Sequence, residues 1–352
     1  MYLFDLGYLP GQQSMLVFHA LARLGVEGLS IVSPASPLVS IGYFQDAGKE
    51  VDLAYCRDAG IPPMRREIGG GATYLDADQI FYQLILRKDN PLAHGSVASL
   101  YERFSQAPVE TYAEFGIKTA FRPVNDIVTS EGRKIAGEGA GDIGECMVFV
   151  GGILLDFDYE TMAHVLKVPD EKFRDKVYKT MQENLTTMRQ ELGEAPPRQD
   201  VVKALIQSFE KITGRLTGSD LTSEGRALIG ELDHEFNRAD FLLKKTPKRA
   251  DGVRIRHGVE VLFGTHKAPG GLIRSYQEVK EQRLDTIGLS GDFTVFPRDS
   301  LEELERSLRG SPRAAKQVED RIARFYEQTD TQSPGVTVDD WVQAVEKAQA
   351  GT

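Results

Sequence analysis

The stretch Arg65-Arg66-Glu67-Ile68-Gly69-Gly70-Gly71-Ala72-Thr73-Tyr74-Leu75-Asp76 sets two guanidinium groups ahead of a backbone stripped of side chains. Three glycines let successive N–H groups approach an anion, and arginine offers a planar fork that matches carboxylate or phosphate. Together they describe an anion-binding loop, whereas Arg-Arg or Gly-Gly-Gly alone would equally describe a strand connection with two solvated cations. A second group comprises Asn125-Asp126-Ile127, Gly132-Arg133-Lys134-Ile135-Ala136-Gly137 and Gly151-Gly152-Ile153-Leu154-Leu155-Asp156. A lysine turned beside Asn-Asp can set its ammonium against a carboxylate and a phosphate, leaving the aspartate to hold a divalent cation.

Other chemistries find little support. Gly139-Ala-Gly141-Asp-Ile-Gly144 satisfies G-x-G-x-x-G, but the strand-like Met147-Val-Phe-Val150 follows where a dinucleotide site needs a helix. There is no G-x-x-x-x-G-K-[ST]. Cys56 and Cys146 have neither zinc spacing nor a disulfide framework, and both read as buried small apolar residues. The six histidines show no H-x-x-x-H or triad-like grouping, which argues against metal hydrolysis and His-based nucleophilic catalysis.

Positioning falls to a sheet with helices around it. Helical recurrence marks residues 12–24, with Gly25 at the left-handed C′ position, and a short helix runs from Asp52 to Gly60. Strands are expected over Leu29–Val32, Leu38–Tyr43 and Gln79–Leu86, so the glycine run joins or interrupts strands. Ala98–Phe115 reads as one helix, followed by strands over Lys118–Val128 and Met147–Phe157 that flank a glycine-rich turn from Gly132 to Gly144. Tyr159–Leu166, Glu171–Leu192, Asp200–Gly214 and Ser223–Leu243 have helical spacing and could cover the sheet.

Lys244 to Gly252 is basic and contains Pro and Gly, as a linker would, which sets a catalytic domain at 1–245 and a small α+β domain at 252–348. In the latter, strands are expected over Val253–Arg256, Val259–Phe263, Leu272–Val279 and Leu284–Leu289. Ser300-Leu-Glu-Glu303 reads as a capping box opening a helix that stops at Gly310, with further helices over Ala314–Tyr326 and Val338–Ala348. A chain of 352 residues suits about two domains, and 41% hydrophobic with 27% charged residues excludes disordered and fibrous classes. The formal charge of −10 argues against nucleic acid or an anionic membrane as main partner. No basic, apolar leader or bilayer-length apolar run is present, so a cytoplasmic protein is expected. No repeat of 20 to 50 residues occurs.

In order and spacing, these segments resemble the lipoate–protein ligase family. That family carries Arg-Arg-x-x-Gly-Gly-Gly-Ala-Val-x-His-Asp, an Asn-Asp pair, Gly-Arg-Lys-x-Ser-Gly and His-Gly-Thr-Leu-Leu in succession. Ile41-Gly-Tyr-Phe-Gln45 is similar to its Gly-x-x-Gln segment. The likeness spans about residues 1–245, and 252–327 resembles the family's C-terminal accessory domain through Pro269–Arg274, Ser290–Phe293 and Leu301–Glu305. The resemblance implies an α+β, biotin/lipoate ligase-like catalytic domain with mixed sheets flanked by helices. It also implies ATP and Mg2+ as cofactors, lipoate or octanoate as substrate, a lipoyl carrier protein as partner and a monomeric enzyme. The acid's carboxylate would attack the α-phosphorus of ATP, and the acyl-adenylate would then acylate a carrier lysine.

By matching positions, Lys134 would be catalytic, bridging acyl carboxylate and α-phosphate, and Arg66 would hold phosphates. Gly69, Gly70 and Gly71 would wrap the adenylate, with Ala72, Thr73, Tyr74 and Asp76 along the nucleotide. Asn125 and Asp126 would hold phosphate or Mg2+, with Asp126 the metal ligand; Gly137, Gly151, Gly152 and Ile153 would line the pocket. Leu38, Val39 and Ile41 could face an acyl tunnel, although core packing explains them equally well. The family's histidines are replaced by Leu75 and Val150, and Gly-Arg-Lys-x-Ser-Gly-Ser-Ala has become Gly132-Arg-Lys-Ile-Ala-Gly-Glu-Gly139. Those departures suggest a divergent subgroup. The rival readings are an ATP-independent, cysteine-dependent octanoyltransferase of the same fold and a non-catalytic acyl- or carrier-binding homologue. The carriers implied tend to be acidic, so a chain of −10 would need a basic surface near its active-site mouth.

Overall fold

The computed structural model describes residues 1–247 and 258–350. Chain contacts divide it into two units: the first comprises 1–41, 51–67 and 72–242, the second 42–50, 68–71 and the described residues from 243 onward.

The first unit opens with strand β1 (Tyr2–Leu9), helix α1 (Gly11–Arg23), β2 (Gly28–Pro34) and β3 (Leu38–Ile41). Helix α1 is buried on almost every side because its faces meet both the sheet and a later helix. Leu16, Val17 and Phe18 have no exposure, and burial of each contributes roughly 1.5–3 kcal/mol. Gly25, at φ +64°, ends it as expected. The short α2 (Ala47–Glu50) belongs to the second unit, and α3 (Leu53–Asp58) returns to the first with Asp52 capping it. Next come β4 (Pro63–Arg65), β5 (Thr73–Leu75) and β6 (Gln79–Arg87). The glycine run thus joins β4 to β5, and β4, β3 and β5 form a three-stranded sheet in that order.

Helices α4 (Val97–Phe104) and α5 (Gln106–Glu114) precede β7 (Thr119–Arg122), β8 (Asp126–Thr129), β9 (Lys134–Ile143) and β10 (Cys146–Leu154). There follow α6 (Tyr159–Val165), α7 (Glu171–Asn184), α8 (Met188–Leu192), α9 (Arg198–Thr213), β11 (Thr217–Gly218), α10 (Ser223–Phe236) and α11 (Ala239–Leu242). Eight strands make one mixed sheet, ordered β11-β1-β2-β6-β10-β9-β8-β7, with β1 parallel to both neighbours and the remaining pairs antiparallel.

Several boundaries differ from the sequence reading. The expected turn over Gly132–Gly144 is mostly a ten-residue strand, β9, because its pairing with β10 and β8 supplies the hydrogen bonds that its side chains do not encourage. The expected single helix over 98–115 breaks at Ser105, and that over 171–192 breaks at 185–187, where Leu185 pairs with Lys134. The long helix over 223–243 likewise splits into α10 and α11. Strand β1 was not foreseen. Gly139 to Gly144 leads from strand to strand, so its G-x-G-x-x-G pattern is no dinucleotide fingerprint.

The second unit carries an antiparallel sheet of β12 (Val259–Ala268), β13 (Gly271–Lys280), β14 (Arg283–Gly291) and the terminal β15 (Gln349–Ala350), ordered β14-β13-β12-β15. Helices α12 (Ser300–Leu308), α13 (Ala315–Gln328) and α14 (Val338–Glu346) pack with it. Its core also takes in Tyr43 and Phe44: Phe44 stacks on Phe293 at 5.4 Å, and Phe293 meets Trp341 edge-on at 4.9 Å. Lys244 donates to the Tyr43 hydroxyl at 2.6 Å and Thr246 to Asp46, so the beginning of the expected linker is tied down. Its remainder and the strand expected at Val253–Arg256 lie outside the described residues. The expected capping box at Ser300–Glu303 is not formed: Asp299 occupies the N-cap position without a side-chain bond, and Thr337 with Asp340 makes a capping box instead, at α14.

Candidate active site

Lys134 opens β9, and its Nζ lies 2.6 Å from Asp126 Oδ1 at the start of β8. Arg122 donates to the other oxygen of that carboxylate at 2.8 Å. Burial pushes the Asp126 carboxyl up, but Lys134 and Arg122 outweigh it and hold it below the ordinary carboxylate range. The strand is bare beside this pair. Asp126 is paired with Gly137, where a Cβ would come within 3.0 Å of the Lys134 ammonium. By alternation Gly139 and Gly152 present the same face of the sheet as Gly137. Gly137 is exposed and Gly139 half-buried, so a flat anion could lie against the sheet next to the ammonium.

One residue further along β9, the opposite face carries a group that the sequence did not reveal. Glu138 is paired with Gly151, and Gly151 with Tyr82 on β6. The Tyr82 side chain crosses Gly151, where a Cβ would sit 2.2 Å from its hydroxyl, and donates to Glu138 Oε1 at 2.7 Å. Ser105, at the break between α4 and α5, donates to the other oxygen. Burial pushes Glu138 up to about 8, against the pull of both hydroxyls. Its backbone is clamped by Asn125, which accepts from the Glu138 N–H and donates its own amide to the Glu138 carbonyl at 2.7 Å. Asn125 therefore positions β9 through its backbone. The one sequence signal for this group was an acidic residue between two glycines where the family carries serine.

Arg66 is buried, donates to the Ser40 carbonyl and hydroxyl at 3.1 Å each, and is pushed down to about 10 by that burial. Arg65, fully buried, donates to the carbonyls of Phe241 and Leu242 and so fastens the end of α11. Glu67 pairs with Arg23, and its N–H donates to His19 Nε2. Of the glycine run, Gly69, Gly70 and Gly71 fall in the second unit. There the Gly70 N–H donates to the Phe293 carbonyl at 3.3 Å, and a Cβ on Gly69 would meet that carbonyl oxygen at 2.7 Å. Only glycine permits this approach.

Thr73, Tyr74 and Leu75 form β5, with Thr73 exposed, Tyr74 buried and Ala72 half-buried ahead of them. Asp76 is pushed up to about 6, chiefly by burial, with the Asp78 and Asp158 carboxylates adding to it against the Asp78 N–H. Ile153, Leu38, Val39 and Ile41 have no exposure and belong to the core. Both cysteines are buried and free. Burial, with Asp52 adding, pushes Cys56 up to about 11, and burial raises Cys146. Among the described residues no three His, Cys, Asp or Glu converge to hold a metal, and no helix is long and apolar enough to cross a membrane.

The family described as "Lipoyl protein ligase A/B catalytic domain" matches residues 18–210. An octanoyltransferase, LipM, of Kyrpidia tusciae is 30% identical over 218 residues, 56% of this chain and 79% of that one. A bi-partite lipoate protein ligase, solved with its E2 lipoyl domain as an archaeal lipoylation system of Thermoplasma acidophilum, aligns with a TM-score of 0.62 at 27% identity. That alignment covers 71% of this chain and 98% of the other. LipL1 of P. falciparum, in complex with lipoate, matches in fold alone, with a TM-score of 0.70 at 14% identity over 94% of this chain and 95% of its own. The chain belongs to the lipoyl protein ligase A/B catalytic domain family.

Proposed function

We propose that the protein is an ATP-dependent lipoate–protein ligase, with residues 1–245 as catalytic domain and 252–348 as accessory domain. Lipoate or octanoate is the acid and a lipoyl carrier the acceptor. The observation that carries the reading is the Lys134–Asp126 pair beside the exposed, side-chain-free Gly137. In the first step an acyl carboxylate oxygen bonds to the α-phosphorus and pyrophosphate leaves; in the second a carrier lysine attacks the acyl carbon and AMP leaves. Lys134 supplies a fixed positive charge where negative charge gathers on carboxylate and phosphate. Asp126, held ionised, orients that ammonium and suits the arrangement in which Mg2+ takes one carboxylate together with phosphate oxygens. Arg66 and the glycine run hold the nucleotide, flanked by Ala72, Thr73, Tyr74 and Asp76.

The octanoyltransferase relative favours a second reading, ATP-independent octanoyl transfer. A thioester route needs a thiolate, and burial keeps both thiols protonated, which weighs against the cysteine-dependent form of that reaction. Pyrophosphate release from Mg-ATP with lipoate, and separately with octanoate, decides between them. Acid-dependent release that falls at least about 100-fold in Lys134→Ala, the scale of losing one transition-state charge contact, is the expected result. No release with either acid, from a folded protein that binds one of them, would leave acyl transfer or binding alone.

A further inference from the structure

Glu191 stands in none of the motif segments of the sequence, yet it closes a ring of contacts around the backbone of Lys134. Its Oε1 accepts from Arg133 Nη2 at 2.6 Å and from the Thr186 hydroxyl at 2.7 Å. The Thr186 N–H in turn donates to the Lys134 carbonyl at 2.8 Å, and Leu185 forms a parallel bridge with Lys134. Residues 133 and 134 are therefore gripped by 185–191 at two adjacent points, one through side chains and one through the backbone. Thr186 is fully buried and Glu191 half-buried, which strengthens both contacts against competition from water.

The grip has a fixed footing. The Arg189 N–H donates to the Leu155 carbonyl just past β10 at 3.0 Å, and Tyr159 on α6 donates to the Leu185 carbonyl at 3.1 Å. What it holds is less secure, because Arg133 follows a turn in which Gly132 has φ +81°. Glu131, on that turn, lies 3.6 Å from the same guanidinium nitrogen and is exposed, so it is the weaker partner. Lys134 is the first residue of β9, and its ammonium rides on a flexible four-carbon stem. Its 2.6 Å contact with Asp126 therefore depends on where the start of the strand is held.

We propose that Glu191 is a positioning residue for Lys134: by binding Arg133 and Thr186 together it fixes the start of β9 and so the place of the ammonium. The proposal rests on the ligase reading above for what Lys134 does once it is placed. Glu191 acts through the chain and not on the substrate, so its loss lowers kcat and leaves KM nearly alone.

The test uses the full chain as wild type, Glu191→Ala and Glu191→Gln. Acetylation by sulfo-N-hydroxysuccinimide acetate, followed at each lysine by peptide mass spectrometry, reports how firmly the Lys134 amine is held and needs neither nucleotide nor acid. Lys88, which pairs with Asp142 near the far end of β9 at 3.7 Å, is the internal control. In Glu191→Ala, Lys134 should be acetylated about threefold faster, the scale of loosening one half-exposed ion pair, with Lys88 unchanged. Acid-dependent pyrophosphate release should fall about tenfold in kcat, with KM for ATP and for lipoate within about twofold of wild type. Glu191→Gln keeps an acceptor for Thr186 and gives up only the charge facing Arg133; it should show the same two changes in smaller measure, and it carries the comparison if Glu191→Ala does not fold. Equal acetylation of Lys134 in the variants and wild type would overturn the proposal. So would a rise shared by Lys88, which marks a loosened sheet, or a faster Lys134 with kcat unchanged. Wild-type protein that releases no pyrophosphate with either acid would overturn the ligase reading instead, and the acetylation rates would still decide whether Glu191 holds Lys134.

Discussion

Glu138 is a carboxyl group withdrawn from water, and the Tyr82 and Ser105 hydroxyls donate to its two oxygens. Its folded-state value of about 8 lies above the roughly 4.3 of an unfolded glutamate. The native chain therefore binds more protons than the unfolded one between those values. The contribution of Glu138 to stability is complete below the lower value and is lost as pH rises through the upper one. Glu138→Gln should consequently gain stability relative to wild type from pH 5 to pH 8, by on the order of 1 kcal/mol per pH unit, and level off above pH 8, in denaturant unfolding. A constant offset would mean that the carboxyl is ionised throughout. The Lys134–Asp126 contact was legible in the sequence because Asn-Asp and Gly-Arg-Lys stand close enough for a turn to bring them together, although Asp126 was expected late in a strand and Lys134 in a turn, whereas each opens a strand. The Glu138 cluster was not, because Ser105 and Tyr82 stand 33 and 56 residues away on other elements.

At the scale of elements, the sequence was clear wherever a single period or stop signal acted alone. Helix α1 ends at Gly25, and the three long strands of the second unit fall close to where alternation put them. Strand β9 was hidden because four glycines lie from Gly132 to Gly141, and glycine in sequence signals a turn. Here it leaves room for a neighbour's side chain, as Gly137 does for Lys134 and Gly151 does for Tyr82 on the adjoining strand. Helix breaks at Ser105 and Leu185 were equally hidden, since tertiary partners impose both: Glu138 holds the serine and Lys134 pairs with the leucine. Capping was misplaced for a local reason, as Ser300-x-x-Glu303 and Thr337-x-x-Asp340 both offer the pattern and only the second forms it. Thr337→Ala should then lower stability by roughly 0.5–2 kcal/mol in chemical denaturation; no change would show that α14 is held by packing alone.

For the whole molecule, an α+β class followed from element order, and the two compact units are not consecutive stretches of the chain. Tyr43 and Phe44, 3% and 1% exposed, are core residues of a unit that, beyond residues 42–50 and 68–71, is built from Leu243 onward. A periodicity argument reads neighbours and cannot show that an early segment completes a late core. A chain ended at Pro247 should leave both rings without Phe293 and Arg298, and so bind a hydrophobic dye far more strongly than the full chain. Equal dye binding would show that residues 42–50 find another cover. The same arrangement has a consequence on the ribosome. Phe44 emerges about 250 residues before Phe293 can stack on it, which at 5–20 residues per second is a wait of about 12–50 s. During that interval the aromatic pair Tyr43 and Phe44 lacks its native cover on the nascent chain. Chaperone capture of ribosome-bound intermediates should therefore fall sharply only once β14 and the residues just after it have been made.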